Sequence, residues 1–281
     1  MRARLREVAG QRPRFGYRRL CILLRREQEP DGQPRWRVNH KRVYRLYGEE
    51  GLVLRRRTRK RYRAEARVPL AMPRQADEVW TMDFIQDAVV SGRKFRALNL
   101  MDGFTREALE IEVDTSLPGT RVVRVLDGLQ ETRGLPEAIQ LDNGPEFISR
   151  AVDQWAFAHG VALHFIERGK PTQNAYIESF NGKFRDECLN QNWFVDLADA
   201  RQIIEAWRVD YNTLRPHSSL GYQTPEEFAR EAAAKKAVEK TLAVASLEIP
   251  AGFPLSHSPG DGGPLTVLAQ EVPNQTPGVT L

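Results

Sequence analysis

The sequence predicts an α/β fold in which a mixed β-sheet is flanked by helices, preceded by a small all-α domain of helix-turn-helix type. Three observations carry this prediction. Apolar residues recur at helical spacing in the first quarter of the chain, they alternate with polar residues from Val79 onward, and short strand-like segments then alternate with helical ones. The chain has 281 residues, which is room for one large core and a small domain because domains commonly hold roughly 100–200 residues.

Four segments follow from these changes in pattern. Residues 1–62 form the basic helix-turn-helix-like domain, residues 63–77 a basic linker and residues 78–235 the α/β core. Residues 236–281 form a helical extension and a Pro/Gly-rich tail. We expect this tail to be disordered because its periodicity is lost past about residue 240.

Composition places the chain among soluble globular proteins. It is 41% apolar and 28% charged, and its longest apolar runs are far short of the ~20 residues that a membrane helix needs. The basic amino terminus lacks the apolar stretch of a secretory signal, so we expect a cytoplasmic protein without membrane contact. Cys21 and Cys188 have no metal-type spacing and are expected to be reduced structural thiols.

Positive charge is concentrated at the amino end of the chain. Residues 1–74 hold 23 Lys and Arg against 7 Asp and Glu, a net charge of +16, whereas residues 75–281 carry −11. Aromatic residues interleave with these cations, which favours nucleic acid as the partner over a merely solvated basic face. The run RRRTRKRYRAEAR after Leu54 is interpreted as a phosphate-contacting linker, with simple disorder as the alternative.

Two helices of the basic domain can be placed from their apolar spacing, over residues 15–27 and 39–50. Asn39 is a candidate cap for the second helix and Gly51 its stop, while the intervening EPDGQPRWR has turn chemistry. This order predicts a helix-turn-helix variant. The apolar residues of the two helices are Leu20, Leu23, Leu24, Val43, Leu46 and Tyr47. Their candidate DNA contacts are Arg18, Arg19, Lys41, Arg42 and Arg45.

The core begins with an antiparallel meander of three strands. In the first strand Trp80, Met82 and Phe84 are expected on one face, with Thr81 and Asp83 on the other. The second and third strands are expected near 94–101 and 107–113, and the turn between them at Asp102-Gly103.

Helices and strands then alternate. The sequence predicts a helix ending at Gly134, the short strand AIQL, a helix ending at Gly160 and the strand VALHFI. Two further helices are expected over about 174–190 and 197–213. Trp155 and Trp207 stand at helical spacing and are expected in the core.

Three carboxylates stand at unusual positions in this pattern. Asp83 lies inside the first strand, Asp142 at the end of AIQL and Glu178 on the polar side of a helix. An Asp in the middle of an apolar strand costs several kcal/mol unless it is paired or metal-bound. Together the three would make an oxygen-rich site suited to Mg²⁺ or Mn²⁺. Glu146, in the loop after Asp142, is a candidate spare ligand, although a structural role in that loop is favoured.

The residues around these carboxylates resemble a known family. WTMDF around Asp83, LDNGPEF around Asp142 and PTQNAYIESFNGKFRDECLN around Glu178 are similar to the DDE catalytic core of retroviral integrases and insertion-sequence transposases, which is RNase H-like. The resemblance is closest to OrfB-type transposases of the IS-three-type family and covers the chain to about residue 230. FGYRRL resembles their helix-turn-helix region, and YNTLRPHSSLGYQTPEEF their carboxy-terminal signature. The spacing also matches, with 58 residues between Asp83 and Asp142 and the characteristic 35 between Asp142 and Glu178.

The resemblance implies a DNA transposase that transfers phosphoryl groups with two divalent cations. Asp83 would bridge both cations, and Asp142 and Glu178 would each hold one. The reaction implied is a nick that exposes a 3′-OH at the element's end, followed by direct attack of that hydroxyl on another phosphodiester. Arg185, seven residues after Glu178 on the same helix face, matches the family's basic residue there. With Lys183 it would contact DNA near the active site.

The resemblance also implies partners. Double-stranded DNA, at the element ends and at the target, is the implied substrate, and at least a homodimer is implied on paired ends. Family members of this type usually gain a further helix-turn-helix and a leucine zipper from an upstream frame, and neither zipper heptads nor such a further domain is visible here. Recognition of the element ends is therefore expected to depend on an OrfA-type partner or fusion.

Other polar residues have simpler interpretations. Asp87, Asp102 and Asp114 fall at strand ends or turns, where Asp is ordinary. His164 and His217 do not combine into a metal set and are expected to pack or to form hydrogen bonds.

Two other functions stay open on the sequence. The first is an RNase H-like nuclease that hydrolyses nucleic acid without joining it, and the second is a DNA-binding regulator on an inactive catalytic fold. The basic amino-terminal domain and the residues around Glu178 favour transposition over the first. The intact Asp83, Asp142 and Glu178 argue against the second.

Overall fold

The computed structural model describes residues 1–54, 72–167 and 174–247. Its helices are α1 (Arg2–Gln11), α2 (Tyr17–Arg26), α3 (His40–Glu49), α4 (Gly119–Thr132), α5 (Arg150–His159), α6 (Ala175–Glu187), α7 (Leu197–Thr213) and α8 (Pro225–Leu247). Its strands are β1 (Val79–Ala88), β2 (Lys94–Asp102), β3 (Ala108–Asp114), β4 (Ala138–Leu141) and β5 (Ala162–Phe165). The predicted basic linker run and the tail from residue 248 onward lie outside the described residues.

Contacts divide the chain into two compact units, Met1–Glu239 and Lys240–Leu281. The helix-turn-helix-like region and the α/β core therefore share the first unit, and the four-segment division of the sequence stays a prediction. Within the described residues, no helix is long and apolar enough to cross a bilayer.

Helices α1, α2 and α3 form a small helical domain around their own core. The apolar residues predicted from helical spacing lie there, with Leu20, Leu24 and Val43 fully excluded from solvent and Leu23 partly buried against them. The Asn39 side chain accepts a hydrogen bond from the backbone N–H of Lys41 at 3.0 Å, which confirms the predicted cap of α3. After α3 the chain turns at Gly51, where φ is 67°, a left-handed value that glycine adopts without strain.

The five strands form one mixed sheet in the order β3-β2-β1-β4-β5. The β1–β2 and β2–β3 pairs are antiparallel, as predicted for the meander, and β4 and β5 add in parallel beyond β1. Strand β1 continues past Phe84 as far as Ala88, which pairs with Lys94 of β2. This mixed sheet confirms the predicted α/β class.

Each face of the sheet carries its own core. Trp80 and Met82 lie on the face covered by α4 and α5, in a cluster with Trp155. The opposite face is covered by α6 and α7 and contains the aromatic cluster of Phe180, Phe184, Trp207 and Tyr211. Trp155 is buried in the first core, and Trp207 packs, partly buried, against the second, as predicted for these two tryptophans. The two cysteines are free and buried, consistent with structural thiols.

Ion pairs hold the helical domain against the α/β core. The guanidinium of Arg12 contacts both carboxylate oxygens of Asp210 on α7, with Nη1 to Oδ2 at 2.6 Å. Arg19 of α2 lies 3.4 Å from Glu187 at the end of α6, and Arg26 lies 2.7 Å from Glu227 of α8. The sequence did not predict this docking, which joins residues up to about 200 positions apart.

We expect Asp210→Asn to lower the free energy of unfolding by about 1–2 kcal/mol, because it weakens a two-point, partly buried pair with Arg12. Urea denaturation of both single variants and of the double variant with Arg12→Gln measures the coupling. The losses should be less than additive in the double variant. Additive losses would show that the two side chains do not interact.

Candidate active site

Strands β1 and β4 place two of the predicted carboxylates side by side. Thr81 of β1 is in register with Gln140 of β4. Asp83 and Asp142 each follow two residues later, so both side chains return to the face that Thr81 and Gln140 occupy. Neighbouring strands lie about 4.8 Å apart, and the two carboxylates therefore meet at the end of β4, on the face covered by α6.

Helix α6 brings the third carboxylate to this face. Asn181 of α6 donates its Nδ2 hydrogen to Oδ2 of Asp83 at 2.7 Å, which fixes the helix against the middle of β1. Glu178 lies one turn before Asn181, in the first turn of α6, and is exposed to solvent. All three carboxylates thus border one shallow surface.

Asp142 and Glu178 both act electrostatically on Asp83. Burial raises the pKa of Asp83 to about 6, against the lowering effect of a hydrogen bond from the backbone N–H of Phe84. The negative charges of Asp142 and Glu178 each raise that pKa further, whereas the hydrogen bond from Asn181 lowers it. The ionised form of Asp83 is therefore destabilised in this surface.

The donor chemistry fits a hard divalent cation. The surface offers carboxylate oxygens, which Mg²⁺ and Mn²⁺ prefer, and a cation would relieve the crowding that raises the pKa of Asp83. Across the ranges that the structure describes, however, no three His, Cys, Asp or Glu side chains stand close enough together to hold a metal ion. Asp83, Asp142 and Glu178 are neighbours without forming a ready-made cage.

The loop after β4 orients the side-chain carboxylate of Asp142. The backbone N–H of Gly144 donates to Oδ1 of Asp142 at 2.9 Å. Glu146 forms an ion pair with Arg96, whose guanidinium lies 4.2 Å from the ring centre of Phe84. That ion pair lowers the pKa of Glu146, and it supports a structural role in the loop over a role as spare ligand.

A methyl group at Gly144 should disturb Asp142 selectively. A Cβ at this position would lie 2.9 Å from Oδ1 of Asp142, so the carboxylate would have to move. We expect Gly144→Ala to lower the rate of the DNA reaction by about 10–100-fold with little change in melting temperature, because small displacements of reacting groups have effects of this size. Gly128→Ala in α4 is the matched control, since a Cβ there meets nothing within 4 Å. Equal rates for the two variants would contradict the role of Gly144.

The candidate DNA contacts of the helical domain divide into two groups. Lys41, Arg42 and Arg45 on α3 are exposed, and Arg45 pairs with Glu49 of its own helix, at 3.6 Å. Those on α2 have neighbours elsewhere in the chain. Arg18 is exposed and donates to the hydroxyl of Tyr222 at 3.5 Å, whereas Arg19 is half-buried and paired with Glu187. The solvent-exposed cations of this group are therefore Arg18 and the three on α3.

Both candidate DNA contacts on α6 have neighbours within the chain. Lys183 donates to the hydroxyl of Ser179 at 2.9 Å, and burial, then the charges of Arg215 and Arg19, lower its pKa to about 8. Arg185 donates to Asp87 at 3.2 Å and to the carbonyl of Gln86 at 2.6 Å, at the far end of β1. Their contact with DNA stays a prediction.

The remaining acidic candidates have structural partners. Asp87 pairs with Arg185, and Asp114 with Arg201. Asp102 is fully buried and accepts backbone hydrogen bonds from Asp77, Phe104 and Thr105, each within 2.8 Å.

The two histidines differ from each other. His217 is buried beside Arg215, and burial with that charge lowers its pKa to about 2, so the imidazole is neutral. His164 is exposed on β5, the edge strand of the sheet, so it is not packed in the core, and a hydrogen bond from its ring stays a prediction.

Comparison with known proteins identifies the family of this chain. An HTH-like domain family matches residues 2–61, and two integrase core domain families match residues 73–171 and 159–225. The chain is 54% identical over 227 residues to the insertion element IS407 uncharacterized 31.7 kDa protein of Burkholderia multivorans, covering 81% of this chain and 79% of that protein. It is 30% identical over 238 residues to the transposase InsD for insertion element IS2D of Escherichia coli, covering 82% and 78%. The chain belongs to the insertion-element transposases.

This transposase family membership agrees with the fold. A chain of the simian T-cell lymphotropic virus intasome, solved in complex with PP2A regulatory subunit B56 gamma, superposes with a TM-score of 0.51 at 12% identity, over 82% of this chain and 74% of that one. Together with the mixed sheet, this likeness shows the predicted RNase H-like fold. Membership also assigns the chain, in general terms, to DNA transposition through an integrase-type polynucleotidyl transferase core.

Two functional candidates are absent from the sequence prediction, Asn181 and Asn99. Asn99 of β2 is fully buried and donates a hydrogen bond to Asn181 at 2.6 Å. Asn181 in turn donates a hydrogen bond to Asp83. Helical spacing could have indicated Asn181, which stands three residues after Glu178. A polar residue between Leu98 and Leu100 in an apolar strand could have indicated Asn99.

Proposed function

We propose that this chain is a metal-dependent DNA transposase that cleaves at the 3′ ends of an insertion sequence and joins them to target DNA, with Asp83, Asp142 and Glu178 as metal ligands. The proposal is supported by the placement of Asp83 on β1, of Asp142 directly after β4 and of Glu178 in the first turn of α6. Each of the other two carboxylates raises the pKa of Asp83 there. Two bound Mg²⁺ or Mn²⁺ ions would supply the charge that phosphoryl transfer needs at the attacking and leaving oxygens.

The chain's own residues hold this surface ready. The N–H of Phe84 and the amide of Asn181 direct the two oxygens of Asp83, and the N–H of Gly144 directs Asp142. Glu178 is exposed and therefore free to approach a cation held by the other two. Such prior orientation is the protein's main contribution to phosphoryl transfer, along with charge.

DNA is held by cations on two elements of the chain. The exposed face of α3, with Lys41, Arg42 and Arg45, contacts duplex backbone, since these guanidinium and ammonium groups lie in solvent and Arg45 pairs with its helix neighbour Glu49. Lys183 and Arg185 contact DNA beside the carboxylates. The chain works in the cytoplasm as a homo-oligomer on paired ends, with an OrfA-type partner for recognition of the ends.

Labelled element ends test the function directly. The full chain is incubated with end-labelled duplex and target plasmid in Mg²⁺, and products are resolved on a sequencing gel. Joined products that disappear in Glu178→Gln are the expected result. Cleavage without joining would mean a nuclease, and binding without either would mean a regulator on an inactive catalytic fold.

A further inference from the structure

We propose that Asn99 is a positioning residue for Asp83: its buried side-chain amide sets the orientation of the Asn181 amide, which in turn holds the Asp83 carboxylate. This inference rests on the proposed function, in which Asp83 binds the catalytic cations. It adds a residue from β2, a strand that contributes no carboxylate to the site.

The three side chains form a linear series. Asn99 stands directly opposite Asp83 in the β1–β2 ladder, so the two side chains share the face covered by α6. The Nδ2 group of Asn99 donates to Oδ1 of Asn181 at 2.6 Å, and Nδ2 of Asn181 donates to Oδ2 of Asp83 at 2.7 Å. Two short hydrogen bonds thus connect β2 to β1 through α6.

The chemistry of the groups permits only one direction for this series. An ionised carboxylate only accepts hydrogen bonds, so Asn181 must turn its NH₂ toward Asp83. The carbonyl of Asn181 then points at Asn99, which must present its own NH₂. If Asn99 could not donate, the Asn181 amide would be free to turn its carbonyl toward Asp83, and that hydrogen bond would be lost.

Asn99 is an unfavourable residue for packing alone. Its side chain is fully buried on the face of β2 that also carries Ala97 and Met101. Among the described residues, its Oδ1 atom has no hydrogen-bond partner. An unsatisfied buried amide oxygen destabilises the fold, whereas a leucine of similar size would not. The amide therefore serves the hydrogen bond to Asn181 more than it serves stability.

Asn99→Leu separates the positioning role from packing. It removes the donor and the unsatisfied oxygen with the same branching and number of side-chain heavy atoms, while Oδ1 of Asn181 loses its donor, so we expect a melting temperature within about 3 °C of that of the wild type. The kcat of strand transfer should fall by about 10–100-fold, with KM for DNA unchanged, as for other groups that orient metal ligands. The Mg²⁺ concentration that gives half of the metal-induced rise in melting temperature should increase by about tenfold.

Thr81→Val is the matched control, because it removes from β1 a buried hydroxyl that donates its hydrogen bond to the carbonyl of Met101. It should leave kcat and the Mg²⁺ midpoint within about twofold of the wild type. If Asn99→Leu fails to fold, Asn99→Ser decides the question, since serine is polar but too short to reach Asn181.

The inference is overturned if the Asn99 variant has the kcat of the wild type and needs the same Mg²⁺ concentration for half of the rise in melting temperature. That result would leave the proposed function intact. Asp83→Asn, measured in parallel, reports on the proposed function itself. If the wild type shows neither joining nor a metal-induced shift, or if Asp83→Asn retains both, the two proposals fall together.

Discussion

Asp83→Asn is expected to abolish DNA joining, with a rate at least about 10³-fold below that of the wild type, because a neutral amide cannot replace a carboxylate that holds catalytic cations. The side chain keeps its shape, and its one oxygen can still accept the hydrogen bond from Asn181 while its NH₂ replaces the oxygen that accepts from the backbone N–H of Phe84. Loss of activity would therefore reflect the missing charge. The measurement is the rate of strand transfer with labelled ends at saturating Mg²⁺.

The same substitution should stabilise the metal-free protein at neutral and alkaline pH. The pKa of Asp83 is about 6 in the folded chain, above the ordinary value of 3.8 for an aspartate, so the folded state binds the proton more tightly than the unfolded state does. The stability gained from that proton is present below the unfolded pKa and is lost as pH rises through 6. We expect Asp83→Asn to exceed the wild type by on the order of 1–3 kcal/mol near pH 8, and by less near pH 5.

Urea denaturation without divalent cations at the two pH values checks this expectation. Asp114→Asn serves as the control for activity, because Asp114 lies at the end of β3 in ion pairs with Arg121 and Arg201. It should join DNA at a rate within about twofold of the wild type. A metal-free Asp83→Asn protein that is much less stable than the wild type would mean that Asp83 has a structural role instead.

Removing the exposed cations of α3 should cause the largest loss of DNA affinity. We expect the triple substitution of Lys41, Arg42 and Arg45 by Gln to weaken duplex binding by about 10²-fold near 0.1 M salt, since each side chain neutralises a phosphate. The slope of log K against log salt should become shallower by about 2.7, or 0.9 for each phosphate that is no longer neutralised. Fluorescence anisotropy of the full chain over a salt series, without Mg²⁺, measures both quantities.

A matched control removes the same charge from the α/β core. Arg121, Arg201 and Arg208, on α4 and α7, each pair with a carboxylate of that core. Their replacement by Gln should change affinity by about threefold or less, because each of these cations is already paired within the chain. If the α3 variant binds like the wild type while Lys183→Gln and Arg185→Gln do not bind, the main DNA surface lies on α6.

Local pattern was sufficient to predict much of the fold and the position of the carboxylates. Alternation of Trp80, Met82 and Phe84 assigned Asp83 to the opposite face of β1, and the structure places it there. The strand AIQL ended at the correct residue, so Asp142 follows it directly. These features depend on side-chain periodicity, which can be read from consecutive residues of the sequence.

Contacts between distant residues were not predictable in this way. The alignment of Asn99 with Asp83 depends on the register of β1 and β2, and the pairing of Arg19 with Glu187 depends on how two domains dock. An arginine on a basic helix looks the same in sequence whether it faces DNA or a carboxylate of the same chain. Register and docking are set by tertiary packing, which single-sequence pattern does not contain.

Anomalous diffraction from crystals of the full chain grown with DNA ends and Mn²⁺ tests the metal site most directly. Two peaks are expected, about 3.5–4 Å apart, each within about 2.3 Å of carboxylate oxygens drawn from Asp83, Asp142 and Glu178. Both peaks should be absent from crystals of Asp83→Asn. Manganese bound only elsewhere, or a Glu178 carboxylate that stays more than about 6 Å from either ion, would contradict a catalytic triad.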